Sequence, residues 1–204
     1  MFLFSMGMMH LFTQLYLPWN ETRPGYPVND VVLRYLPRFD CSKWITLVEF
    51  TVCFLTALDS FYYHHPSRYE LLWLKFTCIS YMKMITTFLL PLEPPTGLIN
   101  LADPIVERLL LFHTKPLKKD LFFSGHTSMM VLCLLHVTNP HLVPVFTLAV
   151  LLMSVMLLHN HIHYSIDVFI SLFVVFTIHT LMDRIADSTT LMDTYVVYFY
   201  PFSE

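Results

Sequence analysis

The sequence contains few charged residues. Asp, Glu, Lys and Arg make up 13% of its 204 residues, about half of the roughly 25% typical of soluble domains. Hydrophobic residues make up 55%, and the mean hydropathy is +0.57. This composition argues against a soluble globular domain and indicates an all-α, polytopic membrane protein. The formal net charge is only -3, so we expect no nucleic-acid partner.

The sequence also has little that predicts disulfides, repeats or a signal peptide. The four cysteines fall mostly in apolar segments without paired spacing, which indicates packed thiols rather than a disulfide framework or a zinc site. No internal repeat is present, and the N-terminus lacks the positive region and the cleavage site of a signal peptide. We predict one transmembrane catalytic domain over residues 1–184, followed by a C-terminal tail over 185–204.

Apolar runs predict a bundle of about six transmembrane helices. A hydrocarbon core of about 30 Å needs about 20 apolar residues per helix. The predicted spans are 2–17, 44–63, 71–92, 121–137, 142–158 and 162–182. Alternating spans place the connections 18–43, 93–120 and 159–162 on one side of the membrane, which we call the active side. A possible glycosylation sequence, Asn20-Glu21-Thr22, lies on this side.

Charged residues inside the predicted spans need partners, because an unpaired charge in a bilayer is costly. Asp59 and Lys75 lie at the same depth in two antiparallel helices, which predicts an ion pair between them. Glu49 and Lys83 lie in the active-side halves of the same helices. Either these two pair likewise, or Lys83 reaches a bound phosphate.

Two short motifs carry the candidate chemistry, and each begins an apolar run on the active side. In one, His126 follows Ser124-Gly125, a small pair whose backbone N–H groups can approach an anion at a helix start. In the other, His163 and Asp167 stand at i and i+4 on one helix face. A histidine oriented by a carboxylate, a second histidine and an anion-binding turn are what phosphoryl transfer through a histidine nucleophile needs.

The eleven histidines raise the alternative of a di-iron membrane oxygenase. In the run His159, His161, His163, neighbouring side chains point about 200° apart on a helix and do not converge on one metal. We therefore expect neither a metal site nor a cofactor. The other histidines are interpreted as polar residues near helix ends and head groups: His10, His64, His65, His113, His136, His141 and His179.

Together the motifs resemble the type 2 phosphatidic acid phosphatase superfamily, and within it the sphingomyelin synthase branch. That branch carries Asp-x-x-x-Ser-Gly-His-Thr, matched from Asp120 to Thr127, and His-x-His-Tyr-Thr/Ser-x-Asp, matched from His161 to Asp167. The run that starts at Lys83 is similar to its Arg-x-Ile-Thr and Leu-Pro segment. The Lys…Arg-Pro motif of the parent phosphatases is missing, and Leu157 occupies the position of their motif arginine. Both departures favour the synthase branch.

The resemblance implies a phosphotransferase that works through a phosphohistidine. His163 would be the nucleophile, Asp167 would orient it, and His126 would be the general acid and base. The donor would be a phospholipid, and the acceptor ceramide or another lipid alcohol. The implied substrate-binding and phosphate-binding residues are Ser124, Gly125, Lys83, Asp120, Lys119 and Tyr164.

Two other functions stay open at this stage. Water could replace the lipid alcohol, which would make the protein a lipid phosphate phosphatase or a phospholipase C-like hydrolase. Alternatively, the protein could be a non-catalytic membrane scaffold or transporter with a relict site. Orientation is open too: Lys and Arg residues cluster on the active side, which the positive-inside rule assigns to the cytoplasm, whereas the resemblance implies an exoplasmic or lumenal active side.

Overall fold

The computed structural model describes residues 15–63, 66–101 and 117–188, together with Gly7. Its helices, in chain order, are α1 (Leu17–Glu21), α2 (Val31–Tyr35), α3 (Ser42–Tyr63), α4 (Pro66–Leu89), α5 (Gly125–His136), α6 (Leu142–His159) and α7 (Ser165–Ser188). The fold of this part is helical, as predicted. Most of the predicted span 2–17 and of the predicted tail lies outside the described residues.

Helix α5 lies at the centre of the bundle and packs against α3, α4, α6 and α7. The sequence predicts a spanning helix over 121–137, but α5 begins only at Gly125 and has 12 residues. At about 1.5 Å per residue it is about 18 Å long, too short to cross a bilayer core of about 30 Å. It begins late because residues 121–124 form a loop in which Phe122 has a φ of +82°.

Three helices are long and apolar enough to cross a membrane: Ser42–Tyr62, Leu142–His159 and Ser165–Asp187. Their outer faces carry large exposed apolar side chains, among them Phe54, Leu148 and Phe173, as lipid-facing surfaces do. Helix α4 has 24 residues but is more polar. Of the six predicted spans, the described residues therefore support three.

On the active side, the three predicted connections meet. The Asn20 side-chain amide donates to the carbonyl of Lys119 over 2.9 Å, and the Ile99 amide donates to the carbonyl of Asn160 over 2.9 Å. Residues 15–41, 90–101, 117–124 and 159–164 together form what we call the active-side layer. Asn20 is only 1% exposed, so its side chain is not accessible as a glycosylation acceptor in the folded protein.

The predicted ion pair between Asp59 and Lys75 is wrong. The Lys75 ammonium, which is 2% exposed, instead donates to a carboxylate oxygen of Asp183 on α7 over 2.5 Å and lies 3.1 Å from Nδ1 of His179. Nε2 of His179 lies 3.0 Å from the other Asp183 oxygen. These three side chains form a closed polar cluster between α4 and α7. His179 belongs to this cluster rather than being an isolated polar residue at a helix end.

Asp59 has different hydrogen-bond partners. Its carboxylate accepts from the Thr138 amide over 3.0 Å and from the Asn139 amide over 3.3 Å, in the turn between α5 and α6. Asp59 and Lys75 share a depth by prediction, but they bond to different parts of the bundle. Depth, which the sequence provides, is therefore not enough to identify the partner of a buried charge.

The remaining described histidines and the cysteines are interpreted as structural residues. His136 is buried, with Nε2 3.3 Å from the Ser60 hydroxyl, while His141 is exposed at the start of α6. His10, His64, His65 and His113 lie outside the described residues. All four cysteines are free thiols. In the part of the chain that the structure describes, no group of three metal-binding side chains converges.

Candidate active site

His163 and Asp167 form a buried hydrogen-bonded pair at the start of α7. Nδ1 of His163 lies 3.2 Å from Oδ2 of Asp167, and the same oxygen accepts the Tyr164 amide over 3.1 Å. Because a carboxylate only accepts, Nδ1 carries the proton in this pair. Nε2 of His163 is then left with a lone pair, as a nucleophile requires.

Burial also keeps His163 neutral. Desolvation lowers the pKa of its imidazole below the usual 6.5, and the hydrogen bond and negative charge of Asp167 oppose this only in part. The positive charge of Lys83 lowers the pKa further. At neutral pH the side chain is therefore held as the uncharged imidazole.

His126 lies beside His163, although the two come from different helices. Their ring centroids are 6.4 Å apart and the rings are inclined at 64°. The contact follows from the packing of α5 on α7, because both histidines lie near helix starts at the same end of the bundle. The two motifs thus form one site, as the sequence predicts.

Glu49 on α3 is a residue of this site that sequence reasoning missed. Its Oε2 lies 3.8 Å from Nε2 of His126, and the two side chains are 31% and 29% exposed. The only sequence signal was a carboxylate inside an apolar helix, and the partner considered for it was Lys83. The carboxylate of Glu49 is therefore the acidic neighbour of His126 in this site.

Lys83 is buried beneath the loop that precedes α5. Its ammonium donates to the carbonyl of Phe123 over 2.7 Å and lies 3.2 Å from a carboxylate oxygen of Asp120. A Cβ added to Gly125 would be 3.6 Å from the ammonium nitrogen. Among the described residues, Lys83 is therefore paired with Asp120 rather than with Glu49, and its charge is next to the first residue of α5.

Ser124 caps α5 instead of offering its amide to a ligand. Its hydroxyl accepts the Thr127 amide over 3.2 Å, and its own N–H donates to the Ser171 hydroxyl over 2.9 Å. Among the described residues, the amides of Gly125 and His126 have no acceptor, as expected for the first residues of a helix. These two amides, rather than that of Ser124, can bind an anion, where the helix dipole favours it.

The polar side-chain groups of Lys119 and Tyr164 bond within the active-side layer rather than to the two histidines. The Lys119 ammonium pairs with the carboxylate of Glu93 at 2.8 Å and donates to the carbonyl of Arg23 over 2.7 Å. The buried Tyr164 hydroxyl donates to the carbonyl of Glu93 over 2.8 Å. The hydrogen bond from Lys119, followed by that from the Gly25 amide, lowers the pKa of Glu93. Both side chains hold loops together.

Asp30 is a second residue that the sequence did not indicate. One of its carboxylate oxygens caps α2, and the other accepts from the amide and the hydroxyl of Ser165 over 2.6 and 2.8 Å. Desolvation would raise the pKa of Asp30, but the hydrogen bonds, chiefly from Ser165, lower it overall. Asp30 therefore links the active-side layer to the start of α7 by hydrogen bonds. Its local pattern predicts only a helix cap.

Comparison with protein-family models gives a match over this part of the chain. Residues 119–184 match the family model described as PAP2 superfamily C-terminal, a range that contains both histidine motifs. Among curated proteins, no sequence matches the chain. The family match and the three apolar helices indicate a membrane protein with an activity of the lipid phosphatase or phosphotransferase kind. The matched segment is thus similar to the superfamily that the two histidine motifs resemble.

Proposed function

We propose that the protein is a multi-pass membrane phosphotransferase that moves a phospho-head group from a phospholipid to a lipid alcohol such as ceramide. The proposal rests mainly on one observation: His163, hydrogen-bonded to Asp167, lies beside a second histidine, His126, that has its own neighbouring carboxylate. One histidine is suited to attack phosphorus, and the other to carry a proton.

In the first step, Nε2 of His163 attacks the phosphorus of the donor lipid. A P–N bond forms, and the P–O bond to diacylglycerol breaks. Protonated His126 gives its proton to the departing oxygen, so that neutral diacylglycerol leaves. Asp167 stabilises the positive charge that develops on His163, as in hydrolase triads.

In the second step, the acceptor alcohol replaces diacylglycerol. His126, now neutral, takes the hydroxyl proton while the alcohol oxygen attacks phosphorus. A new P–O bond forms, the P–N bond breaks, and His163 returns to its neutral state. Glu49, 3.8 Å from His126, stabilises the protonated histidine that closes the cycle.

The amides of Gly125 and His126 are suited to hold the phosphoryl oxygens, and the Lys83 ammonium adds positive charge nearby. Such fixed donors stabilise charge as it develops in the transition state. Asp120 orients Lys83 through their contact at 3.2 Å. The scheme uses no metal ion and no cofactor.

Transfer to a lipid rather than to water is supported by the sequence. The chain has Leu157 where the parent phosphatases carry a motif arginine, and in this it is similar to the sphingomyelin synthase branch. By the same resemblance we infer an exoplasmic or lumenal active side. A cysteine introduced at the exposed Asn29 tests this, because a membrane-impermeant thiol reagent added outside intact vesicles or cells reaches it only in that orientation.

The activity is tested with the purified full chain in detergent, supplied with fluorescent ceramide and mixed phospholipids. Products are separated by thin-layer chromatography beside a His163→Ala variant and a His141→Ala control, which removes an exposed histidine. We expect a phospho-ceramide product from the wild type and from the control only. Release of free phospho-head group without a new lipid would instead identify a hydrolase, and activity retained in His163→Ala would refute the mechanism.

A further inference from the structure

Three buried serines lie where the two catalytic helices cross. Ser124 precedes α5, Ser128 lies one turn into it, and Ser171 lies on α7 one turn after Asp167. All three are at most 1% exposed. Polar groups this deeply buried are costly unless they are hydrogen-bonded, so their contacts show what they hold together.

Ser171 contacts both helices. Its Oγ lies 2.7 Å from the carbonyl oxygen of Asp167 and 3.1 Å from that of Ser124. The same oxygen accepts the Ser124 amide over 2.9 Å. The Ser128 hydroxyl donates to the Ser124 carbonyl over 2.7 Å. Ser171 therefore joins the residue before Gly125-His126 to the backbone of the residue that orients His163.

Two other helical serines, Ser154 and Ser80, bond within their own helix. Ser154 on α6 and Ser80 on α4 each donate to the carbonyl four residues earlier in their own helix, over 2.8 and 2.9 Å. Ser171 makes this bond as well, and in addition it bonds across to Ser124. The bond between helices, rather than the bond within one, distinguishes it from them.

We propose that Ser171 is a positioning residue that sets the distance between His126 and His163. The inference rests on the proposed function, because that distance matters only if both histidines act on one phosphoryl group. Without the Ser171 hydroxyl, the Ser124 amide has one remaining acceptor, the carbonyl oxygen of Asp167 at 3.2 Å. A displacement of about 1 Å between reacting groups costs roughly a hundredfold in rate.

The experiment compares Ser171→Ala with Ser154→Ala in the full-length protein. We expect Ser171→Ala to lower kcat about tenfold or more while the KM values for both lipids stay within about twofold, since the alignment of the histidines changes and the lipid-binding surface does not. Ser154→Ala should leave both parameters within about twofold. Ser171→Thr, which retains a hydroxyl, should keep more activity than Ser171→Val, which has the same shape without it.

Two outcomes would overturn the inference: wild-type kcat in Ser171→Ala, or an equal loss in Ser154→Ala. A second measurement, the rate of crosslinking between residues 126 and 163, does not depend on enzymatic activity. The H126C/H163C protein is treated with a short thiol crosslinker, with and without Ser171→Ala, and an unchanged crosslinking rate would also refute the positioning role. If the wild type transfers no head group while Ser171→Ala slows crosslinking, the proposed function fails and the positioning role stands.

Discussion

Oε2 of Glu49 lies 3.8 Å from Nε2 of His126, although the two residues are far apart in sequence and come from different helices. The second histidine of the site, His163, has Asp167 on its own helix at i+4. Each histidine thus has one carboxylate, one supplied locally and one by tertiary packing. The two environments also differ, because His163 is buried and His126 is partly exposed.

Replacement of Glu49 should slow the proton-transfer steps. In Glu49→Gln the shape is kept and the charge is lost, so the carboxylate no longer stabilises the positive charge that His126 carries during the proposed cycle. We expect kcat to fall about tenfold, a part of the roughly hundredfold to ten-thousandfold that general acid–base catalysis contributes, because His126 itself remains. The control is Glu70→Gln, which removes an exposed carboxylate on α4. Equal kcat values in the two variants would show that Glu49 does not act on His126.

A methyl group at residue 125 should block the anion site without disturbing the fold. A Cβ on Gly125 would meet only Nζ and Cε of Lys83, at 3.6 and 3.9 Å, which are ordinary contacts. It would, however, lie beside the amide that is proposed to bind the phosphoryl oxygens. We expect Gly125→Ala to keep the wild-type melting temperature and to lose about tenfold or more in kcat. Full activity in this variant would place the phosphate elsewhere.

Acid should inactivate the enzyme by protonating His163. The pKa of this histidine is below 6.5 in the folded protein, so the neutral nucleophile persists at neutral pH and is lost only as pH falls through the lowered pKa. The unfolded chain binds this proton at higher pH, so stability also decreases below about pH 6.5. We expect the acid limb of kcat/KM to lie below pH 6.5 and to move lower still in Asp167→Asn, because Asp167 raises the pKa. A limb above 6.5 would contradict this assignment.

The ion pair of Lys75 with Asp183 should contribute to stability and not to catalysis. Asp183→Asn leaves the buried Lys75 ammonium without its counter-charge. We expect the free energy of unfolding to fall by about 1–3 kcal/mol. This is less than for a fully buried ion pair, because water partly screens Asp183, which is 38% exposed. A double-mutant cycle in detergent, with Lys75→Met as the second change, should show coupling with Asp183→Asn. The same cycle with Asp59→Asn should show almost none. Coupling to Asp59 instead would restore the partner that the sequence predicted.

The sequence alone predicted the features that depend on local spacing. Long apolar runs located α3, α6 and α7 to within a few residues, because burial in lipid demands continuous hydrophobicity. The i, i+4 spacing of His163 and Asp167 fixed their contact in advance, since helix geometry brings such residues together. The two motifs also pointed to one shared site, and the family match covers both.

Tertiary structure decided the rest, since it depends on which helix faces which. Lys75 bonds to Asp183 rather than to Asp59, and Glu49 lies by His126 rather than by Lys83. An apolar run also does not show where a helix stops: α5 is only 12 residues long, because the loop before it is held by contacts from α4 and α7. Depth and periodicity are properties of one segment, whereas the partner of a buried charge and the use of a backbone amide are properties of the packing between segments.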